Sequence, residues 1–119
     1  MKHIQLGREG EKLAKQYLLQ QKMELLACNY RWRKQEVDLI FKDAESLVIV
    51  EVKTRQHESY GSPVQSVSRT KQRHLIKAAN AYILENQLDL DVRFDVVSII
   101  HNSYQTHIDH IPNAFYPTL

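Results

Sequence analysis

The chain has a single cysteine, Cys28, so no disulfide can form within it. That usage fits a reducing interior compartment rather than a secreted, disulfide-stapled domain, and a cytoplasmic protein is expected. No apolar run approaches the ~20 residues that a membrane-spanning helix needs, so no membrane association is expected. The N-terminus, Met1-Lys2-His3-Ile4-Gln5, has no signal-peptide core, because charge returns at Arg8 and Glu9. Internal repeats, low-complexity tracts and linker-like stretches are also missing. At 119 residues this leaves one domain, residues 1–119, large enough to bury a single core. The net charge of +2 is too small to indicate a polyanionic partner by itself.

The distribution of charge says more. Arg31, Arg33 and Lys34 surround Trp32, Lys53 and Arg55 lie together, and Arg69, Lys71, Arg73, His74 and Lys77 crowd one stretch. Locally basic surface of this kind suits a polyanion, although any one cluster is equally well read as a solvated face.

Hydrophobic spacing predicts an amphipathic helix from about Ile4 to Gln21, with Leu6, Leu13, Ala14, Tyr17 and Leu18 inward. Gly7 and Gly10 are costly inside a helix and suggest close approach of another backbone or of a ligand. A strand follows over Leu25–Arg33, with Leu26, Cys28, Tyr30 and Trp32 on one face and Cys28 a small core residue. Further strands are expected at Glu36–Lys42 and Leu47–Lys53, joined by a short polar hairpin turn. The loop from His57 to Pro63 precedes a second helix that begins at Val64 or Ser68 and ends near Gln87. Arg93–His101 reads as a strand covered on both faces, Gln105–His110 as a shorter one, and Pro112–Pro117 as an irregular tail that packs Phe115. The order implies an α/β sandwich, a mixed sheet with helices against it.

Glu36-Val37-Asp38-Leu39-Ile40 and Val50-Glu51-Val52-Lys53 carry the chemistry. Period-two alternation puts Glu36, Asp38 and Ile40 on one face, with Val37, Leu39 and Phe41 on the other; it also puts Glu51 and Lys53 together. Paired strands would let Asp38, Glu51 and Lys53 converge at one end of the sheet. Charge inside strongly apolar strands needs a partner or a metal. Hard divalent cations take oxygen ligands, which Asp38, Glu51 and the Val52 carbonyl can supply, with Glu11 assisting from the first helix. Lys53 would position or deprotonate the attacking water, or steady charge on a phosphate. Glu36, one pair further along, is a weaker candidate. The competing reading is a cross-strand ion pair between Lys53 and an acid, worth ~0.2–1 kcal/mol. His101, His107 and His110 read as surface histidines rather than zinc ligands. Asp95 is expected to pair with Arg93 or a neighbouring cation.

Gly7-x-x-Gly10-Glu11-x-x-Ala14, Asn29-Tyr30-Arg31, Glu36-Val37-Asp38-Leu39-Ile40, Val50-Glu51-Val52-Lys53-x-Arg55, Tyr60-Gly61-x-Pro63, Lys71, Arg93-Phe94-Asp95-Val96-Val97 and His110-Ile111-x-Asn113-Ala114-Phe115 resemble the bacterial YraN family, also called UPF0102. That family is similar to the PD-(D/E)xK nuclease superfamily and to archaeal Holliday-junction resolvases. The resemblance implies a restriction-endonuclease-like core, a central mixed β-sheet flanked by α-helices. It places Asp38, Glu51 and Lys53 on the superfamily's catalytic acid, acid and lysine, and Glu11 on the acid of its first helix. The expectation is an endonuclease that uses Mg²⁺, or Mn²⁺ in its place, on DNA, branched or structured DNA in particular. Arg31, Arg33, Arg55 and Lys71 are the expected phosphate contacts, and a homodimer would suit a symmetric junction. The alternatives are a non-catalytic nucleic-acid-binding module and a protein-interaction subunit that keeps the nuclease fold.

Overall fold

In the computed structural model, residues 3–58 and 61–117 are described. Tyr60 of the loop motif, and Met1 and Lys2, lie outside them. The elements are α1 (His3–Gln20), β1 (Glu24–Trp32), β2 (Gln35–Asp43), β3 (Ser46–Arg55), a 3₁₀ turn (Val64–Ser66), α2 (Arg69–Asn86), β4 (Asp91–His101) and β5 (Thr106–Phe115). The strands form one sheet in the order β1-β2-β3-β4-β5. All neighbours are antiparallel except β3 and β4, which run parallel. A parallel pair cannot be joined by a hairpin, and the crossover between β3 and β4 carries α2. This five-stranded mixed sheet with two flanking helices is an α/β fold consistent with a restriction-endonuclease-like core. No helix among the described residues is long and apolar enough to cross a membrane.

The two faces of the sheet bury two cores. On one, Ala14 and Leu18 of α1 pack with Leu39, Phe41, Val48, Val50, Val97 and Ile99. On the other, Leu75, Ala78 and Ala79 of α2 pack with Val37, Ile40, Leu47, Ile49, Phe94 and Val96. Central β3 and β4 are covered on both sides, which explains their unbroken apolar runs. Each fully buried side chain of this kind contributes roughly 1.5–3 kcal/mol. Gly10 of α1 faces β3, and a Cβ there would overlap the Thr54 side chain, so the close approach expected at this position is with Thr54. Gly7 differs from that expectation, because a Cβ on it would meet nothing within 4 Å.

The regular alternation predicted for β1 and β2 fails at a bulge between Leu25 and Ala27 of β1, and again at one level shared by both strands. Cys28 pairs with Leu39 and Tyr30 with Val37. Yet Leu39 belongs to the α1-side core, whereas Val37 and Tyr30 belong to the α2-side core. Both strands therefore change face between these pairs, at Asn29 and Asp38. Asn29 takes a left-handed conformation with φ 51°, which asparagine tolerates better than most residues. In consequence Val37 does not share a face with Leu39 and Phe41, and Cys28 is exposed rather than a core residue. Leu26, Tyr30 and Trp32 pack on the α2 side as expected.

The chain after Ile111 is not an irregular tail, since β5 continues to Phe115. Phe94 pairs with Phe115 and Val96 with Ile111, so residues 112–114 bulge out opposite Asp95. The fully buried Asp95 holds this bulge. It accepts from Arg93 Nε at 2.9 Å and Nη2 at 3.0 Å, from the Asn113 N–H at 3.1 Å, and lies 2.7 Å from His110 Nε2. Arg93 also donates to Asp43 at 3.0 Å. His110 is thus a half-buried network member rather than a surface histidine, and His101, 3.0 Å from Glu9, joins β4 to α1. Burial opposes ionisation of Asp95, but the His110 and Arg93 contacts outweigh it and hold its pKa below the ordinary value.

Replacing Asp95 with alanine would strand the Arg93 and His110 donors, at a cost of ~3–5 kcal/mol in urea unfolding at pH 7. Because the native pKa of Asp95 is depressed, its contribution is present above the ordinary carboxylate range and lost as pH falls through the native value. The gap between wild type and Asp95→Ala should therefore narrow in acid; a gap independent of pH would refute the assignment.

Candidate metal centre

Strand β2 leaves β3 at the start of the acidic motif. Their pairing runs from Asp43–Ser46 to Leu39–Val50 and stops there. One step further, the Val52 N–H would need a backbone acceptor on β2. It finds a side chain instead, donating to Asp38 Oδ2 at 2.8 Å. A buried amide must be satisfied, so the parting of the strands and the carboxylate at Asp38 belong together.

Around Asp38 the fold gathers further acids. One carboxylate oxygen each from Glu11, Glu36 and Asp38 lie within 4.8 Å of one another, the only such group of three among the described residues. Asn29 fixes two of them, its Nδ2 donating to Glu11 Oε2 and to Glu36 Oε1 at 3.0 Å each. The left-handed turn of Asn29 is what lets its amide reach across α1 and β2. Glu36 is thus a full member of the cluster, not a remote acid, because the face change at Asp38 brings its side chain to Glu11. Both Glu11 and Glu36 border a cleft of about 390 Å³ with Gly7, Arg8 and Asn29. The missing side chain at Gly7 leaves this approach open.

Glu51 stands on the other side of Asp38 and is buried. Its cationic partner is Lys71 Nζ of α2, 3.5 Å from Oε2, and that oxygen makes no hydrogen bond among the described residues. Ser68 caps α2, its side chain accepting from the Lys71 N–H at 3.1 Å, and so sets Lys71 in the first turn, facing β3. Lys53 shares the face of Glu51 and is half-buried. It makes no hydrogen bond or ion pair among the described residues. The cross-strand pair of Lys53 with an acid is therefore not formed.

The electrostatics follow from this crowding. Burial, then the neighbouring charge of Glu51, pushes Asp38 up to about 8, against the pull of the Val52 N–H and Lys71. Glu11 is also raised, by burial and by Asp38 and Glu36, although the Asn29 bond works the other way. Among the described residues only two cations form ion pairs with these four carboxylates: Lys71 with Glu51, and Arg31 at 3.9 Å from Glu36. The site has hard oxygen donors in excess of positive charge, the donor chemistry of a Mg²⁺ or Mn²⁺ site.

The remaining predicted residues are more dispersed. Arg33 stacks over Trp32, 4.6 Å from the ring centroid, at the tip of the β1–β2 hairpin. Arg55 Nη2 donates to Ser98 Oγ at 3.5 Å. Sequence reasoning gave Asn29 no role at the site, although its place in a strand next to an acid motif is unusual for so poor a strand former.

Comparison with known proteins finds similarity over nearly the whole chain. Residues 10–99 match the model of "Uncharacterised protein family UPF0102". A UPF0102 protein of Christiangramia forsetii is 44% identical over 96% of both chains. UPF0102 protein THEYE_A1950 of Thermodesulfovibrio yellowstonii is 44% identical over 98% of this chain and 100% of its own. A UPF0102 protein of Geobacter metallireducens is 43% identical over 92% and 91%.

A raised native pKa means that folded Asp38 holds its proton more tightly than the unfolded chain does. Its ionisation therefore erodes stability as pH rises from near 3.8 toward 8. Asp38→Asn keeps an acceptor for the Val52 N–H and removes the charge. In chelator the variant should melt above wild type at pH 8, with the margin shrinking toward pH 4; a lower melting temperature at pH 8 would contradict this electrostatic account.

Proposed function

The chain belongs to the UPF0102 family, and from the geometry of its carboxylate site we propose that it is a Mg²⁺-dependent endonuclease, with Mn²⁺ acceptable in its place. The substrate is DNA, branched or structured DNA in particular. The observation that carries the reading is the parting of β2 from β3, which commits Asp38 to one amide and leaves it among three further acids. Crowding four acids together, with Glu51 buried and Asp38 raised to about 8, serves a cation better than it serves the fold.

In this reading Asp38 and Glu51 hold the ion, the Val52 carbonyl is a third donor, and Glu11 and Glu36 reach it directly or through water. Bound there, a divalent ion polarises a phosphoryl oxygen and lowers the pKa of a water. Asn29 orients Glu11 and Glu36. Lys53, with no hydrogen-bond or ion-pair partner among the described residues, is available to orient the attacking water, take its proton or meet charge on the scissile phosphate. Arg31, Arg33 and Arg55 are the phosphate contacts, with Arg8 and Lys12 of α1 beside the neighbouring cleft. Trp32, at the hairpin tip, offers a face for a base once Arg33 is displaced.

The test is cleavage of four-way-junction, flap and linear duplex DNA with Mg²⁺ or Mn²⁺. Asp38→Ala, Glu51→Gln and Lys53→Ala should each lower the rate by about 10²-fold or more. Their circular dichroism should remain that of wild type. Activity that survives all three changes would mean a contaminant or another site. Salt-sensitive binding without cleavage by any metal would instead favour a non-catalytic nucleic-acid-binding module.

A further inference from the structure

Lys71 stands where a helix does not favour a lysine. It lies in the first turn of α2, where the partial positive charge of the helix end disfavours a cation. Its side chain is only one-third exposed, and its ammonium lies 3.5 Å from the buried Glu51, whose Oε2 has no hydrogen-bond donor among the described residues. Lys53, on Glu51's own strand, does not pair with it. Helix stability does not explain a lysine here, but the charge of Glu51 does.

We propose that Lys71 is the resident counter-cation of Glu51 in the metal-free protein and gives up that carboxylate to an incoming divalent ion. This rests on the reading of Asp38 and Glu51 as metal ligands. An ammonium and a metal ion cannot share one carboxylate edge without strong repulsion, so the two compete. Without Lys71, a buried carboxylate beside Asp38 would lack compensation until metal arrived. With it, the apo fold is kept intact at the expense of some metal affinity. A released Lys71 then stands beside the site as a cation for a phosphate oxygen, the contact its sequence context suggests. Lys71 is thus a positioning residue, acting through Glu51.

Two readouts with opposite signs separate this role from simple packing. Lys71→Met keeps the length of the side chain and removes the charge. In chelator its melting temperature should fall by roughly 5 °C or more, because Glu51 is left alone. At pH 8, calorimetric titration with Mn²⁺ should show tighter binding than wild type, by about tenfold or more. Lys71→Arg should keep both values near wild type. Lys71→Gln serves if the methionine variant does not fold, with the same gain in affinity expected. Unchanged or weaker Mn²⁺ binding in a folded neutral variant overturns the proposal, while the wild type still binds. No Mn²⁺ binding by the wild type overturns the metal-site reading itself.

Discussion

The hydrogen bond from the Val52 amide to the Asp38 carboxylate is the contact on which the rest of the site depends. It marks the place where a regular antiparallel ladder ends and a side chain takes over a backbone acceptor's task. Three consequences follow. Asp38 is drawn into the sheet, where burial opposes its charge. The strand that carries Glu51 stays paired with β4, so Glu51 remains beside Asp38. The change of face shared by Asn29 and Asp38 turns Glu36 toward Glu11. With perfect alternation Glu36 would stay on the α2 side of the sheet, away from Glu11.

Two aspartates of the sheet show how differently the protein treats its charges. Asp95 is fully buried, yet it receives donors from Arg93, His110 and Asn113, and its pKa falls. Asp38 is less buried, has one amide, and is pressed by Glu51, and its pKa rises. The first is a satisfied network that holds a β-bulge and needs nothing more. The second is a frustrated one, and such imbalance between stability and chemistry is characteristic of functional sites. Burial alone does not tell the two apart; the count and sign of the partners does.

Much of this was legible in the sequence because period and composition carry it. The order of elements, the covered β4 run and the grouping of Asp38 with Glu51 and Glu11 follow from residue spacing and from the family resemblance. What was illegible depends on local departures from period. Asparagine is the residue of β1 best suited to φ 51°, but composition alone does not say that the strand turns there, so the exposure of Cys28 and the approach of Glu36 were hidden. The extension of β5 to Phe115 was masked by Pro112 and Asn113, which fit a bulge as well as they fit a tail. The partner of Glu51 lies 20 residues away on another element, Lys71 of α2, where spacing within a strand cannot reveal it.

The most direct measurement is the anomalous difference map of a crystal grown with Mn²⁺ at pH 8. The account predicts one strong peak bounded by Asp38 and Glu51 or by Asp38, Glu11 and Glu36, at 2.0–2.3 Å from carboxylate oxygen on the scale usual for such ions. A peak elsewhere on the surface, or a well-ordered site with none, would contradict it and return these acids to a purely structural role.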